Sequence, residues 1–190
     1  PDPAAAHNNL GLALFAKQKN EEAISHYKMT IKIKPGFADA YNNFGAVLSA
    51  EQKNEEAISH YKMAIKLKPT HAKAYNNLGI ALVAEGKNKE AISHYKMAIW
   101  LKPDLAEAYS NLGIALVAEG KIEEAISHYK MAIKIKPDFA EAYSNLGAVL
   151  FAIKKTEEAI SHYKMAIKFK PGLAAAQKNL ETALRSEELE

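Results

Sequence analysis

The chain has 190 residues and no cysteine. That absence excludes disulfides, thiolate nucleophiles and cysteine-ligated zinc, and it suits a cytoplasmic protein. Long apolar runs are also missing, since none approaches the roughly 20 residues that cross a bilayer. The opening residues, 1–4, carry neither a basic nor an apolar segment, so no signal peptide is expected. We therefore expect a cytoplasmic protein with no membrane partner.

Arginine is almost absent, and Arg185 is the single example. The 25 basic residues barely exceed the 22 acidic ones, so the formal net charge is only +3. Proteins that read nucleic acids depend on arginine forks, base stacking and a basic surface. The composition therefore predicts no nucleic-acid partner.

Motifs that carry chemistry are missing as well. No glycine-rich phosphate loop, metal-ligand cluster or nucleophile–base constellation stands out. We therefore expect no enzyme activity, no cofactor and no metal.

What the chain does contain is a repeat. Prolines recur every 34 residues, and the heptapeptide Ala-Ile-Ser-His-Tyr-Lys-Met recurs with the same period; the prolines are Pro35, Pro69, Pro103, Pro137 and Pro171. A period of this length indicates stacked units, each too small to bury its own apolar face.

The unit at residues 72–105 predicts a helix–turn–helix hairpin. One apolar stripe at helical spacing begins at Ala72 and a second begins at Ala91. Gly86 lies between them and can adopt positive φ, while Pro103 ends the second helix. Each repeat also has a glycine within its first helix, such as Gly79, at a cost of about 0.5–1 kcal/mol relative to alanine. We expect the partner helix to approach closely there, near the alanine equivalent to Ala91.

Helix caps are predicted from polar residues before each helix. Asn88 is expected to cap the second helix of the third unit. Asp104 with Glu107 has the spacing of a capping box, which Asp138 with Glu141 repeats. At the start of the chain, Asp2 is expected to cap a helix that begins at Pro3.

The pattern Tyr75-x-x-Leu78-Gly79-x-x-Leu82, followed by Ala91-x-x-x-Tyr95 and Pro103, resembles the tetratricopeptide repeat (TPR). The resemblance implies an all-α fold, an α-solenoid in which helix–turn–helix hairpins form a right-handed superhelix. It divides the chain into an N-terminal leader, 1–3, five repeats, 4–37, 38–71, 72–105, 106–139 and 140–173, and a C-terminal capping helix, 174–190. Gln18, Gln52 and Lys154 stand where the turn glycine is expected.

The same resemblance implies that the first helices line a concave groove that binds a peptide or a partner helix. Two rows of asparagine fall at groove positions, an outer row of Asn9, Asn43, Asn77, Asn111, Asn145 and Asn179 and an inner row of Asn8, Asn42 and Asn76, continued by Ser110 and Ser144. Apolar residues accompany them, among them Leu12, Ile80, Val83, Ile114 and Val117. We expect these residues to form a peptide-binding site.

The amides admit two compatible interpretations. A primary amide both donates and accepts hydrogen bonds, so a row of amides can hold the backbone of an extended peptide. Alternatively, each amide locks neighbouring repeats together through side-chain to backbone hydrogen bonds.

Three functions remain open on this basis. The first is a protein–protein interaction scaffold. The second is the acceptor-binding region of a larger glycosyltransferase. It is suggested by the asparagine rows, which resemble those in the repeat domain of O-GlcNAc transferases. The third is a self-associating structural array, or homo-oligomer, which the near-identity of the repeats would suit.

Histidine forms a further row, at His26, His60, His94, His128 and His162. Equivalent residues of stacked hairpins lie about 10 Å apart, so neighbours in the row cannot share one zinc ion. Each of these histidines follows a glutamate by four residues, and we expect helix-surface pairs.

Overall fold

The computed structural model describes residues 2–187, which form eleven α-helices and no strand. The helices are α1 (Pro3–Ala16), α2 (Asn20–Ile33), α3 (Ala38–Ala50), α4 (Asn54–Leu67), α5 (Ala72–Ala84), α6 (Asn88–Leu101), α7 (Ala106–Ala118), α8 (Ile122–Ile135), α9 (Ala140–Ala152), α10 (Thr156–Phe169) and α11 (Ala174–Glu187). The predicted all-α class is confirmed. Residue 1 of the predicted leader and residues 188–190 of the predicted capping helix lie outside the described residues.

The helices pair in chain order into hairpins, α1 with α2 through α9 with α10, and α11 packs on α10. Two compact units result, with α1–α6 in the first and α7–α11 in the second. Within the first unit, α2 contacts α3, α4 contacts α5, and the first helices α1, α3 and α5 contact in sequence. Within the second unit, α8 contacts α9, and α9 contacts both α7 and α11. This is the side-by-side packing of a solenoid.

The core of each hairpin forms where a glycine on the first helix meets a tyrosine on the second. A Cβ added to Gly45 would lie 2.7 Å from Cε1 of Tyr61, and the other four hairpins have the same arrangement. The second helix does come close to each glycine, but with a tyrosine ring and not, as expected, with its backbone near an alanine. Beside Gly147 an alanine also approaches, because the added Cβ would lie 3.2 Å from the carbonyl oxygen of Ala159.

The turns within the hairpins all use the left-handed region. Gly86 and Gly120 have φ of 73° and 74° there. Gln18, Gln52 and Lys154 occupy the same turn position at φ of 60°, 62° and 61°. For a residue with a Cβ, this left-handed backbone conformation costs about 1–2 kcal/mol of free energy relative to the right-handed one.

The cap of α1 follows the prediction, whereas the caps of later helices do not. Oδ1 of Asp2 accepts a hydrogen bond of 3.0 Å from the backbone N–H of Ala4. The predicted Asn88 cap is wrong, because Asn88 is already helical and Lys87 precedes the helix.

The predicted capping boxes are also wrong. Leu105 and Phe139 occupy the N-cap positions of α7 and α9, and neither helix has a side-chain cap. Leu105 is buried, so packing of an apolar side chain sets the helix entry and leaves Asp104 outside it. The same register leaves Asp138 outside α9.

Candidate functional site

The candidate site comprises the surfaces of the first helices, which we call the first-helix faces: α1, α3 and α5 in the first unit and α7, α9 and α11 in the second. The predicted apolar residues of these faces reach solvent. Ile80 is 45% exposed and Ile114 is 42% exposed, while Leu12 is exposed and Val83 and Val117 are half-buried. They remain accessible because other positions of each first helix face the packed interior, such as Leu78 and Leu82 of α5 and Leu112 and Leu116 of α7.

The inner asparagines are buried in the first unit and the outer ones are more accessible. Asn8, Asn42 and Asn76 are buried. Asn43 and Asn77 are half-buried, and Asn9 is exposed.

Hydrogen bonds between the two rows join neighbouring repeats. Nδ2 of Asn43 donates to Oδ1 of Asn8 over 3.0 Å, and Nδ2 of Asn77 donates to Oδ1 of Asn42 over the same distance. Within one helix, Nδ2 of Asn42 donates to Oδ1 of Asn43 over 3.3 Å. The amides therefore lock neighbouring repeats, but through side-chain acceptors rather than the backbone acceptors that we expected.

The outer amides retain hydrogen-bonding capacity after these contacts. A primary amide has two N–H donors and an oxygen with two lone pairs. Asn43 uses one N–H toward Asn8 and one lone pair toward Asn42. One donor and one acceptor site remain on Asn43 for a ligand.

In the second unit the inner row is serine. Ser110 and Ser144 are buried there, and a serine hydroxyl has one donor where an amide has two. Asn111, Asn145 and Asn179 of the outer row are half-buried. Across residues 2–187, no side-chain hydrogen bond engages Asn145 or Asn179, so both amides keep their full capacity.

The histidine row lies against a row of aromatic rings. Ring centroids are 6.0 Å apart for Tyr41 and His60, and 5.9 Å for Tyr75 and His94, with the same pairing in the two hairpins of the second unit. Burial lowers the pKa of His60, and Glu56 only partly opposes that shift. The histidines are thus half-buried packing residues, with the expected glutamate pairing as a secondary effect.

Tyrosines of the first helices, such as Tyr41, therefore lie beside histidine, whereas the tyrosines beside glycine, such as Tyr61, belong to the second helices. The described part of the chain contains no group of three or more histidine, aspartate or glutamate side chains that could hold a metal ion.

Surface clefts occur at the turns within hairpins. One is lined by residues 52–56 and Glu85, and another by residues 18–22. Both are polar and shallow, which does not favour them as ligand pockets. As for membranes, the helices within residues 2–187 are each too short or too polar to form a span.

Family models described as "TPR repeat" match residues 11–51, 81–118 and 113–154. Models described as "Tetratricopeptide repeat" match residues 36–99 and 140–173. Together these matches extend from residue 11 to residue 173. No curated protein sequence matches the chain.

Solved structures of similar fold include MamA, with 28% sequence identity, coverage of 85% of this chain and 94% of MamA, and a TM-score of 0.73. YrrB, described as a TPR protein with an unusual peptide-binding site, is 24% identical over 93% of this chain and 91% of its own, with a TM-score of 0.69. PilF of Pseudomonas aeruginosa is 18% identical over 98% of this chain and 91% of its own, with a TM-score of 0.85. For the last two, the likeness concerns the fold alone.

Proposed function

Because the chain belongs to the tetratricopeptide repeat family, we propose that it is a protein-interaction scaffold that binds an extended peptide or a partner helix on its first-helix faces. One observation carries the proposal: large apolar side chains are exposed to solvent on the same helices as amides with unused hydrogen-bonding capacity. Ile80 is 45% exposed beside Asn77, and Ile114 is 42% exposed on α7. Apolar side chains accessible in groups are typical of interaction surfaces.

The two kinds of side chain suit the two parts of a peptide. Exposed Leu12, Ile80 and Ile114 can contact apolar side chains of the ligand. The outer amides can pair with its backbone N–H and C=O groups, because each amide both donates and accepts. Few charged side chains are found among these residues, so the preferred ligand is an uncharged extended segment or the apolar face of a helix.

The amides differ in what they can contribute. Asn9, Asn145 and Asn179 are outer residues with full capacity, and Asn43 and Asn77 retain part of it. Asn8, Asn42 and Asn76 are buried, so their contribution to a ligand is indirect, through the positions of the outer amides.

The test uses a phage-displayed library of random peptides selected on the wild-type chain. Affinities of the selected peptides are then measured for wild type and for the double variant Ile80→Glu, Ile114→Glu. We expect the double variant to lose at least tenfold in affinity, because burying a carboxylate against an apolar ligand is costly.

A matched control places the same charges on the second helices. Met63 and Met131 are each 38% exposed, so Met63→Glu with Met131→Glu changes charge and polarity equally on another surface. The control variant should bind the peptides as wild type does. Equal binding by the Ile80→Glu, Ile114→Glu variant would remove the first-helix faces from the proposal.

The resemblance of the asparagine rows to those of O-GlcNAc transferases supports a narrower form of this proposal, in which the chain is the acceptor-binding region of a glycosyltransferase. In that form the catalytic residues belong to another part of the parent protein. The sequence downstream of residue 190 in the parent gene tests it, since a glycosyltransferase domain must be encoded there.

Self-association is a second candidate function, favoured by the exposed face of α1. Leu10 is 46% exposed, whereas Leu78, at the equivalent position of α5, is 1% exposed, and α5 packs on α3 and α4 of the preceding hairpin. A second copy of the chain could cover Leu10 as a hairpin covers Leu78. Light scattering across a concentration series tests this: a mass that rises with concentration and falls again in Leu10→Lys supports it, and a monomer throughout contradicts it.

A further inference from the structure

The first hairpin contains a pair of histidines that the other hairpins lack. His26 belongs to the row described above and lies on α2. Its neighbour on α1 is His7, at the position that is tyrosine in the other four repeats. The substitution turns a tyrosine–histidine contact into a contact between two imidazoles.

The two rings face each other through nitrogen atoms. Nδ1 of His7 lies 2.8 Å from Nδ1 of His26, and the ring centroids are 5.1 Å apart with an angle of 30° between planes. One Nδ1 must carry a proton and the other must offer its lone pair for this to be a hydrogen bond. Both residues are half-buried, so the shared proton is accessible from solvent.

The backbone beneath the pair is tied together by a residue specific to this hairpin. Oγ1 of Thr30 lies 3.0 Å from the carbonyl oxygen of His26 and 3.4 Å from that of Ala4. Thr30 is fully buried, and the other hairpins have alanine at its position. The threonine therefore links the backbones of α1 and α2 next to the imidazole pair.

We propose that His7 and His26 form a binding site for a divalent transition-metal ion, in which the ion replaces the shared proton. Zinc–nitrogen bonds are about 2.0–2.1 Å, so two nitrogens on a tetrahedral ion lie about 3.3 Å apart. The observed 2.8 Å must widen by about half an ångström, which rotation of the two rings can supply.

The ligand set defines which ions fit. Imidazole nitrogen suits zinc, nickel and copper, whereas calcium and magnesium prefer oxygen. Because the described residues provide no third histidine or carboxylate at the site, the remaining positions of the ion belong to water. Affinity for such a site rises from nickel to copper and falls again to zinc. The site is thus an open, two-histidine site that prefers Cu²⁺.

The repeat supplies its own controls. His7→Tyr installs the residue that the other hairpins carry beside histidine, so the variant should fold. Tyr75→His creates a second imidazole pair, with His94. Lys62 lies near His94 and disfavours a further positive charge there, so Tyr75→His is combined with Lys62→Gln.

Isothermal titration calorimetry with Zn²⁺ alone, and separately with Cu²⁺ alone, measures stoichiometry and affinity for each variant. We expect one ion per chain for wild type, at least a tenfold loss of affinity in His7→Tyr and in His26→Ala, and a second ion in the Tyr75→His, Lys62→Gln variant. His128→Ala should bind as wild type does. Thermal unfolding should shift upward with Zn²⁺ in wild type and not in His7→Tyr.

Unchanged affinity in His7→Tyr would overturn the proposal, because it would place the metal on other histidines of the chain. The proposal would also be overturned if the number of ions bound per chain fell whenever any one histidine of the chain was replaced. Failure of the second pair to add an ion would contradict the claim that two imidazoles at these positions suffice.

Discussion

A Cβ on Gly79 would lie 2.5 Å from Cε1 of Tyr95. Tyr95 is almost fully buried on α6, so its ring cannot swing into solvent to make room. The glycine of the first helix and the tyrosine of the second therefore form one packing unit, which recurs in every hairpin.

We predict that Gly79→Ala destabilises the protein even though alanine is the better helix former. The helix gains about 0.5–1 kcal/mol from the substitution. Overpacking against a buried ring costs about 1–3 kcal/mol, which is the larger effect. Urea unfolding followed by circular dichroism should show a lower midpoint. Gly172→Ala is the control, because nothing lies within 4 Å of the added Cβ, and its midpoint should stay near that of wild type.

Removing the hydroxyl of Tyr27 and removing that of Tyr61 should change the free energy of unfolding in opposite directions. The Tyr27 hydroxyl is buried without a hydrogen-bond partner, and burial raises its pKa to about 12. The Tyr61 hydroxyl lies 3.3 Å from Oγ of Ser49. The residue equivalent to Ser49 in the first hairpin is Phe15, which offers no such oxygen to Tyr27.

Tyr27→Phe should therefore raise the free energy of unfolding, by about 1 kcal/mol, since it removes an unsatisfied polar group. Tyr61→Phe should lower it by about 0.5–1.5 kcal/mol, since it breaks a hydrogen bond. Denaturant titrations of both variants under the same conditions distinguish opposite changes in the free energy of unfolding from equal ones. A loss of stability in Tyr27→Phe as large as in Tyr61→Phe would contradict the assignment.

Substitutions in the two asparagine rows should have different effects, on stability for the inner row and on peptide binding for the outer row. Asn42→Ala removes the acceptor of the Asn77 amide and a buried side chain, so it should cost about 1–3 kcal/mol of stability. Asn145→Ala breaks no side-chain hydrogen bond and should leave the unfolding midpoint within error of wild type. Under the proposed function, Asn145→Ala should nevertheless weaken binding of the selected peptides. Equal loss of stability in both variants would argue against distinct roles.

Stability is predicted to fall as the solution becomes acidic. Burial beside tyrosine lowers the pKa of His60, His94 and His162 in the folded state. The unfolded chain then binds protons more readily, so stability is fully present above the ordinary histidine pKa of about 6.5 and is lost as pH falls through the lowered values. The urea midpoint should decrease between about pH 7.5 and pH 5 on this basis.

The cause of the shift can be tested at one residue. Burial is the main reason that the pKa of His94 is low, Lys62 lowers it further, and Glu90 opposes both. Lys62→Gln should therefore raise the pKa of His94 in an NMR titration of the imidazole protons. An unchanged value would leave burial as the sole cause.

Much of the architecture follows from short stretches of sequence, because the features that specify it act locally. Gly86 permits the turn, Pro103 ends the second helix, and apolar spacing defines the buried stripe of each helix. The prediction failed at the N-caps because Leu105 is fixed by burial in a core that extends beyond its own helix.

The sequence by itself determined that the chain is a stack of helical hairpins and which side chains their first helices present. Only the tertiary structure decided which groups meet: Tyr95 rather than alanine against Gly79, Asn43 with Asn8 across 35 positions, and His7 with His26 across 19. The physical reason is that periodicity and turn chemistry act within a few residues, whereas side-chain partners depend on how packed helices are rotated and offset against each other.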